Sequence, residues 1–269
     1  MRNWNFNLTR TTLLVGGTAA LLLAAVPLQA QRGGGRAAPP NAKASAPIDL
    51  TGYWVSVITE DWRYRMVTPT KGDYQSVPMT QESRRIADMW DPAKDEASGN
   101  QCKSYGAPAL WRVPGRVHIT WKDDETLQAE VDTGTQTRLF HFGDWKPAGG
   151  EASWQGDSVA TWEGRGAGRG GAGGGPGGPG GPPRSGSLKV VTTHLKSGYL
   201  RKNGVPYSED ANLTEYYDMA KEKNGDQWMV ITVVVTDPKY LTQPFVVSSQ
   251  FKKQADATGW DPTPCSSRW

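Results

Sequence analysis

The chain has 269 residues, with 30 Lys and Arg against 27 Asp and Glu, for a formal net charge of +3. Eight of those cations (Arg2, Arg10, Arg32, Arg36, Lys43, Arg165, Arg169 and Arg184) lie in three acid-free segments outside the expected folded body. The body therefore carries 22 basic against 27 acidic residues, a net charge of about −5, which removes nucleic acid as a partner class.

The N-terminus has Arg2 and Arg10 ahead of an apolar run from Leu13 to Val26, followed by Pro27 and the small-residue exit Leu28-Gln29-Ala30. This pattern predicts a signal peptide over 1–30, cleaved after Ala30, and no stable membrane insertion afterwards. No Cys follows the cleavage point to carry a lipid. Residues 31–47 are low in complexity and read as a disordered tether. The folded body is expected over 48–265 as a single β-domain, interrupted by a Gly/Pro/Arg-rich insertion over 164–186. Periplasmic or secreted localisation follows. In that setting the two cysteines, Cys102 and Cys265, are expected to form a disulfide.

Along the body, Asp49 to Trp54 leads into a β-branched strand. Trp62 to Val67 then alternates, with Trp62, Tyr64 and Met66 on one face and Arg63 and Arg65 on the other, as a half-buried strand would. One short helix is expected, capped by Thr80, with Ile86, Met89, Trp90 and Ala93 on its apolar face and an end near Trp90 or Asp91, before Pro92. After the Cys102 loop the pattern is strand and turn. Trp111–Val113 leads through Pro114-Gly115 to strands over 116–121, 126–132 and 135–142. A hairpin follows with arms Ser153–Glu163 and Leu188–Leu195, then a loop over 199–210 and strands over 213–219, 228–236 and 245–251. The expected fold is mainly β: an antiparallel meander that closes into a lipocalin-like β-barrel, because nine or ten strands must curl and closure removes the sheet edges.

Several motifs, in this order, resemble a group of exported proteins of soil and environmental bacteria. They are Asp49 to Trp54, Pro114 to Val117, Ser153 to Ser158 with Trp162-Glu163-Gly164, Leu188 to Val191, and Asp237-Pro238 followed by Pro244-Phe245. That group closes the hairpin with a short Gly-Asp-Thr turn, which the Gly-rich insertion replaces here. The resemblance carries no established activity and so no catalytic residue. Gly52-Tyr53-Trp54 also resembles the Gly-x-Trp of the first lipocalin strand, and that implies a cup holding one small ligand.

His118, His141 and His194 are the only histidines and lack ligand spacing, so no metal and no cofactor is expected. Arg63, Arg65 and Arg138 are candidates to hold a carboxylate or phosphate inside a cup. Twelve Trp, Trp54 and Trp162 among them, are core filler or stacking rings. Expected ligand-binding residues are therefore Trp54, Arg63, Arg65, His118, Arg138, His141, Trp162 and His194. Glu163 and Glu215 are the weak candidates for an acid/base pair. Nucleophile-elbow, Ser-x-x-Lys, zincin and phosphate-loop templates fail. The leading expectation is a periplasmic protein binding a small hydrophobic or aromatic molecule. The alternatives are a hydrolase or isomerase acting inside the barrel, and an envelope structural protein with a protein partner.

Overall fold

The computed structural model describes residues 40–147, 149–164 and 186–268. The expected signal peptide, residues 31–39 of the tether and residues 165–185 of the insertion lie outside the described residues. In chain order the elements are α1 (Ala42–Ser45), β1 (Gly52–Val57), α2 (Trp62–Arg65), α3 (Gln81–Asp88), α4 (Pro92–Ala97), a 3-10 turn (Gln101–Tyr105), α5 (Ala107–Leu110), β2 (Arg116–Trp121), β3 (Thr126–Val131), β4 (Gln136–His141), β5 (Asp157–Gly164), β6 (Gly186–Thr193), β7 (Gly198–Arg201), β8 (Val205–Tyr207), β9 (Asn212–Lys221), β10 (Gln227–Thr236) and β11 (Phe245–Gln254).

Nine strands close a barrel in the order β1-β11-β10-β9-β6-β5-β4-β3-β2, and β7 and β8 form a separate hairpin. All barrel pairings are antiparallel except β4 with β5, which run parallel through Phe140–Ser158 and His141–Val159. Alternation decides which side chains enter. Met229, Ile231, Val233 and Val235 of β10, Leu188 and Val190 of β6, and Leu127, Ala129 and Val131 of β3 are all buried.

The Asp49–Trp54, Pro114–Val117 and Asp237-Pro238 segments serve the backbone. Asp49 accepts from the Thr51 N–H at 2.9 Å, Gly52 has φ +107°, and the Trp54 indole donates to the Leu50 carbonyl at 2.9 Å. A side chain at Gly115 would collide with Asp132, whose carboxylate already accepts from the Arg116 N–H at 2.7 Å. The Asp237 carboxylate accepts from the N–H groups of Ser208, Lys239 and Tyr240, joining the β6–β9 connection to the β10–β11 turn. These are fold-defining contacts.

Four expectations need correction. Trp62–Val67 is no strand. Asp61 sits at φ 50°, the Tyr64 N–H donates to the Asp61 carbonyl and the Met66 N–H to that of Trp62, so the chain leaves β1 and winds into α2. What decides it is Arg65, whose guanidinium donates to the Arg112 carbonyl at 3.0 Å and the Trp111 carbonyl at 3.4 Å. Those carbonyls follow the last turn of α5, where helix acceptors lack intrahelical partners. Trp111–Val113 therefore ends α5 and is not strand either. Thr80 does cap α3, accepting from the Ser83 N–H at 3.2 Å. The helix nonetheless buries Ser83 and Ala87 and leaves Met89 exposed, and Pro92 starts α4. The fourth correction is that the 199–210 loop contains the β7–β8 hairpin.

The body also begins earlier than expected. Residues 40–47, read as tether, close the barrel end carrying the β2–β3 turn. The Lys43 N–H donates to the Asp124 carbonyl at 3.1 Å, Ala42 is buried, and the Trp162 indole donates to the Ala42 carbonyl at 2.8 Å. Their composition gives no sign of this because every partner lies some 80 or 120 positions away.

Buried tyrosines set the alkaline limit. Burial raises Tyr74 to about 12, aided by the neighbouring Asp88 carboxylate, and it also raises Tyr105, Tyr199, Tyr207 and Tyr217. A phenol whose folded pKa exceeds its unfolded value of about 10 contributes stability that is complete below that pH and lost as pH rises above it. The tyrosine contribution to stability is expected to be level to about pH 9.5 and to fall steeply by about pH 11, while Lys202, neutral in the fold above about pH 7, contributes stability that rises up to about pH 10. Tyrosinate absorbance that rises near pH 10 with no fall in melting temperature would contradict this.

Candidate functional site

The closed barrel is compatible with the expected cup, and its interior carries a buried polar cluster. Arg138 of β4 and Glu215 of β9 both take inward positions and are 1% and 0% exposed. They form a bidentate pair, with Nη1 to Oε1 at 2.6 Å and Nη2 to Oε2 at 2.8 Å. The intervening strands supply Thr192 and Ser158 hydroxyls at 3.0 and 3.2 Å from Nη2, so one polar stripe crosses β4, β5, β6 and β9. Trp111 enters from the α5 end and donates its indole N–H to Glu215. Its ring packs edge-on against Tyr217 and Phe251 at 6.0 and 6.1 Å. The Arg138 guanidinium also lies 4.9 Å from the Phe140 ring. Desolvation works against the Arg138 charge, but the Glu215 carboxylate outweighs it and holds the pKa above the ordinary value.

A second cationic cluster sits above this plug, where α2, α5 and the β7–β8 hairpin cover the barrel end. Arg65, Arg112, Arg201 and Lys202 line one cleft with Tyr64 and Ser104. All four cations are at least nine-tenths buried. Arg65 is spent on the α5 carbonyls and Glu60. Arg112 gives Nη1 to Asp61 at 3.1 Å, and Arg201 gives Nη1 to the Gln75 carbonyl at 2.7 Å while its guanidinium stacks 4.0 Å from the Tyr64 ring. That leaves Arg112 Nη2 and Arg201 Nε and Nη2 buried without a hydrogen-bond acceptor among the described residues. Burial lowers the pKa of both guanidiniums, and the Arg112 charge lowers Arg201 further. Lys202 donates to the Tyr105 hydroxyl at 2.7 Å, and burial brings its ammonium down to about 7. Buried donors with no acceptor are costly, and clustered like charges raise that cost. Arg112 and Arg201 both line the same cleft.

Of the residues expected from sequence to bind a ligand, only Arg65 reaches this cleft. Trp54 is wholly buried in β1. Arg63 is exposed and paired with Asp73. His118 stacks on Tyr53 at 4.0 Å and faces Glu130 at 3.3 Å. His141 stacks on Trp145 at 4.0 Å, and burial lowers its pKa. Trp162 belongs to the opposite end with Trp121 and Phe142. His194 pairs with Asp157 at 2.9 Å. The structure does not bring Glu163 and Glu215 together: Glu163 lies near Lys189 at 3.7 Å on an accessible face, whereas Glu215 is sealed in the barrel. The sequence pattern does not single out Arg112, Arg201 and Lys202, because it places Arg112 in a strand and the Arg201-Lys202 pair in a loop. No local spacing links them.

Fold and site together define a closed nine-stranded β-barrel with a buried ion pair inside and a buried basic cleft under its cap. No family model matches the chain, and neither a curated protein nor a solved structure matches it.

Proposed function

We propose that this protein is an exported binding protein that holds a small anion in the cleft between Arg112 and Arg201. The observation that carries this reading is the set of three buried guanidinium N–H groups left without acceptors around one cleft. Export is supported by the N-terminal pattern and by the Cys102–Cys265 disulfide, which suits an oxidising compartment. The motif resemblance to exported bacterial proteins points the same way. The sequence points to a hydrophobic or aromatic ligand inside the barrel; Trp111, Arg138, Glu215 and Tyr217 are buried there, and the unpaired donors of the cleft favour a charged ligand instead.

Three charge-assisted bonds of roughly 1.5–3 kcal/mol each correspond to dissociation constants between about millimolar and micromolar. Titration with acetate and with inorganic phosphate is expected to give saturable heat for at least one of them and a rise in melting temperature. Arg201→Gln should abolish both signals, since it removes two of the three donors' charge. Neither anion producing heat or a thermal shift at about 10 mM would overturn the reading.

A further inference from the structure

Arg201 is fixed in the cleft with one edge of its guanidinium unspent. Nη1 donates to the Gln75 carbonyl at 2.7 Å, and the Tyr64 ring, 4.0 Å away, covers a guanidinium face. The two atoms without acceptors among the described residues, Nε and Nη2, share one edge of the group, and their N–H bonds run parallel. Such an edge matches the two oxygens of a carboxylate, which accept side by side in the guanidinium plane.

The charges of the cleft call for one negative charge. Of its three arginines, Arg65 pairs with Glu60 and Arg112 with Asp61. Asp73, the other carboxylate acting on Arg201, is held by Arg63. Two carboxylates thus offset two of the three guanidiniums and leave the charge of Arg201. A monoanion cancels it, whereas a dianion would leave an excess negative charge beside Glu60 and Asp61, where it is costly. Space agrees. The cleft has about 20 Å³ free, enough for one or two water-sized atoms and too little for the four oxygens of a phosphate. Tyr64 is the one lining residue that is not buried, which puts the mouth of the cleft there.

We infer that the cleft selects a singly charged carboxylate, both oxygens on the Nε–Nη2 edge of Arg201, over tetrahedral oxyanions. This rests on the anion-binding reading above and names its ligand class. A small free acid and a peptide C-terminus carry the same group, and the probes below separate them.

The test is calorimetry on the full chain at about pH 8. There Lys202, brought down to about 7 by burial, is mostly neutral, and Arg201, lowered to about 10, is still charged. The probes are acetate, methanesulfonate (the same charge on a tetrahedral head), inorganic phosphate, acetamide (the shape without the charge) and N-acetylglycylglycine (a peptide C-terminus). Acetate is expected to bind at least about tenfold more tightly than methanesulfonate or phosphate, the worth of one charge-assisted bond. Acetamide should give no saturable heat at about 10 mM. N-acetylglycylglycine binding more tightly than acetate supports a peptide terminus and the reverse order a small acid; either order supports the carboxylate. Arg201→Lys keeps the charge but loses the fork, so it should weaken acetate at least about tenfold. The probe series on the unaltered chain stands whether or not that variant folds. Methanesulfonate or phosphate matching acetate overturns the carboxylate and leaves the anion reading intact, whereas silence from both acetate and phosphate removes both. Acetamide binding as tightly as acetate, or a folded Arg201→Lys variant with acetate affinity unchanged, also overturns the inference.

Discussion

Glu215→Gln is expected to destabilise the protein by about 3–5 kcal/mol, the largest effect of any single substitution considered for this chain. Glutamine keeps the shape and can still accept from the Trp111 indole, so the change isolates the charge. What remains is Arg138, 1% exposed, with its bidentate partner gone and only the Thr192 and Ser158 hydroxyls beside it. An uncompensated charge in such a place costs far more than the pair contributes when whole. Arg138→Met combined with Glu215→Leu should recover part of the loss, because the charge leaves with its counter-charge. Recovery is incomplete, since Trp111 Nε1 and the Tyr217 hydroxyl both donate to Glu215 and would be stranded. Urea unfolding followed by tryptophan emission should give a coupling energy of about 2 kcal/mol or more between the two positions. A loss below about 1 kcal/mol for Glu215→Gln would show that water reaches the pair and that the barrel is not closed over it.

The second large effect is that of the disulfide. Cys102 and Cys265 are 163 positions apart, with Cα atoms 5.1 Å apart. On the chain-entropy relation a loop of that length restrains the unfolded chain by about 5 kcal/mol. A domain of this size has only about 5–15 kcal/mol of net stability, so the Cys102→Ala, Cys265→Ala variant should sit near the edge of folding. The bridge also ties the C-terminal segment to the 3-10 turn that leads into α5. Around it the Thr263 N–H donates to the Asp132 carbonyl at 3.0 Å and the Ser266 N–H to the Tyr105 hydroxyl at 3.3 Å. Ser104 and Arg112 of the cleft lie on that same stretch. Removing the bridge is therefore expected to weaken acetate or phosphate binding as well as lowering the urea midpoint. Reduced and oxidised protein unfolding within about 1 kcal/mol of each other would show that the backbone contacts alone hold the segment.

The strand framework was legible because a strand announces itself locally. The period-two alternation in β9, β10 and β6 follows from one face meeting the core, and turn residues such as Asn224-Gly225-Asp226 mark where each strand stops. Even the interior ion pair left a trace: Arg138 shares parity with Phe140, and Glu215 with Leu213 and Tyr217, so both charges sit at core positions of their strands. Alternation misled at Trp62–Val67, where the same period is satisfied by a helical turn whose Arg65 reaches carbonyls nearly fifty positions away. It was silent at the cleft, whose three arginines come from α2, the end of α5 and β7, because no period connects elements that meet only after the barrel has closed.

By itself, then, the sequence determined the β class, the closure of a many-stranded sheet, the turns between strands such as Asn224-Gly225-Asp226, and the pairing of two cysteines in a net acidic body. Each follows from short-range patterning or from counting. Only the tertiary structure decided that Arg138 and Glu215 pair inside the barrel, that residues 40–47 belong to the body, and that Arg112 and Arg201 line one cleft with N–H groups unpaired among the described residues. Those outcomes depend on which distant groups are brought within hydrogen-bonding reach, a distance of about 3 Å that no linear spacing encodes.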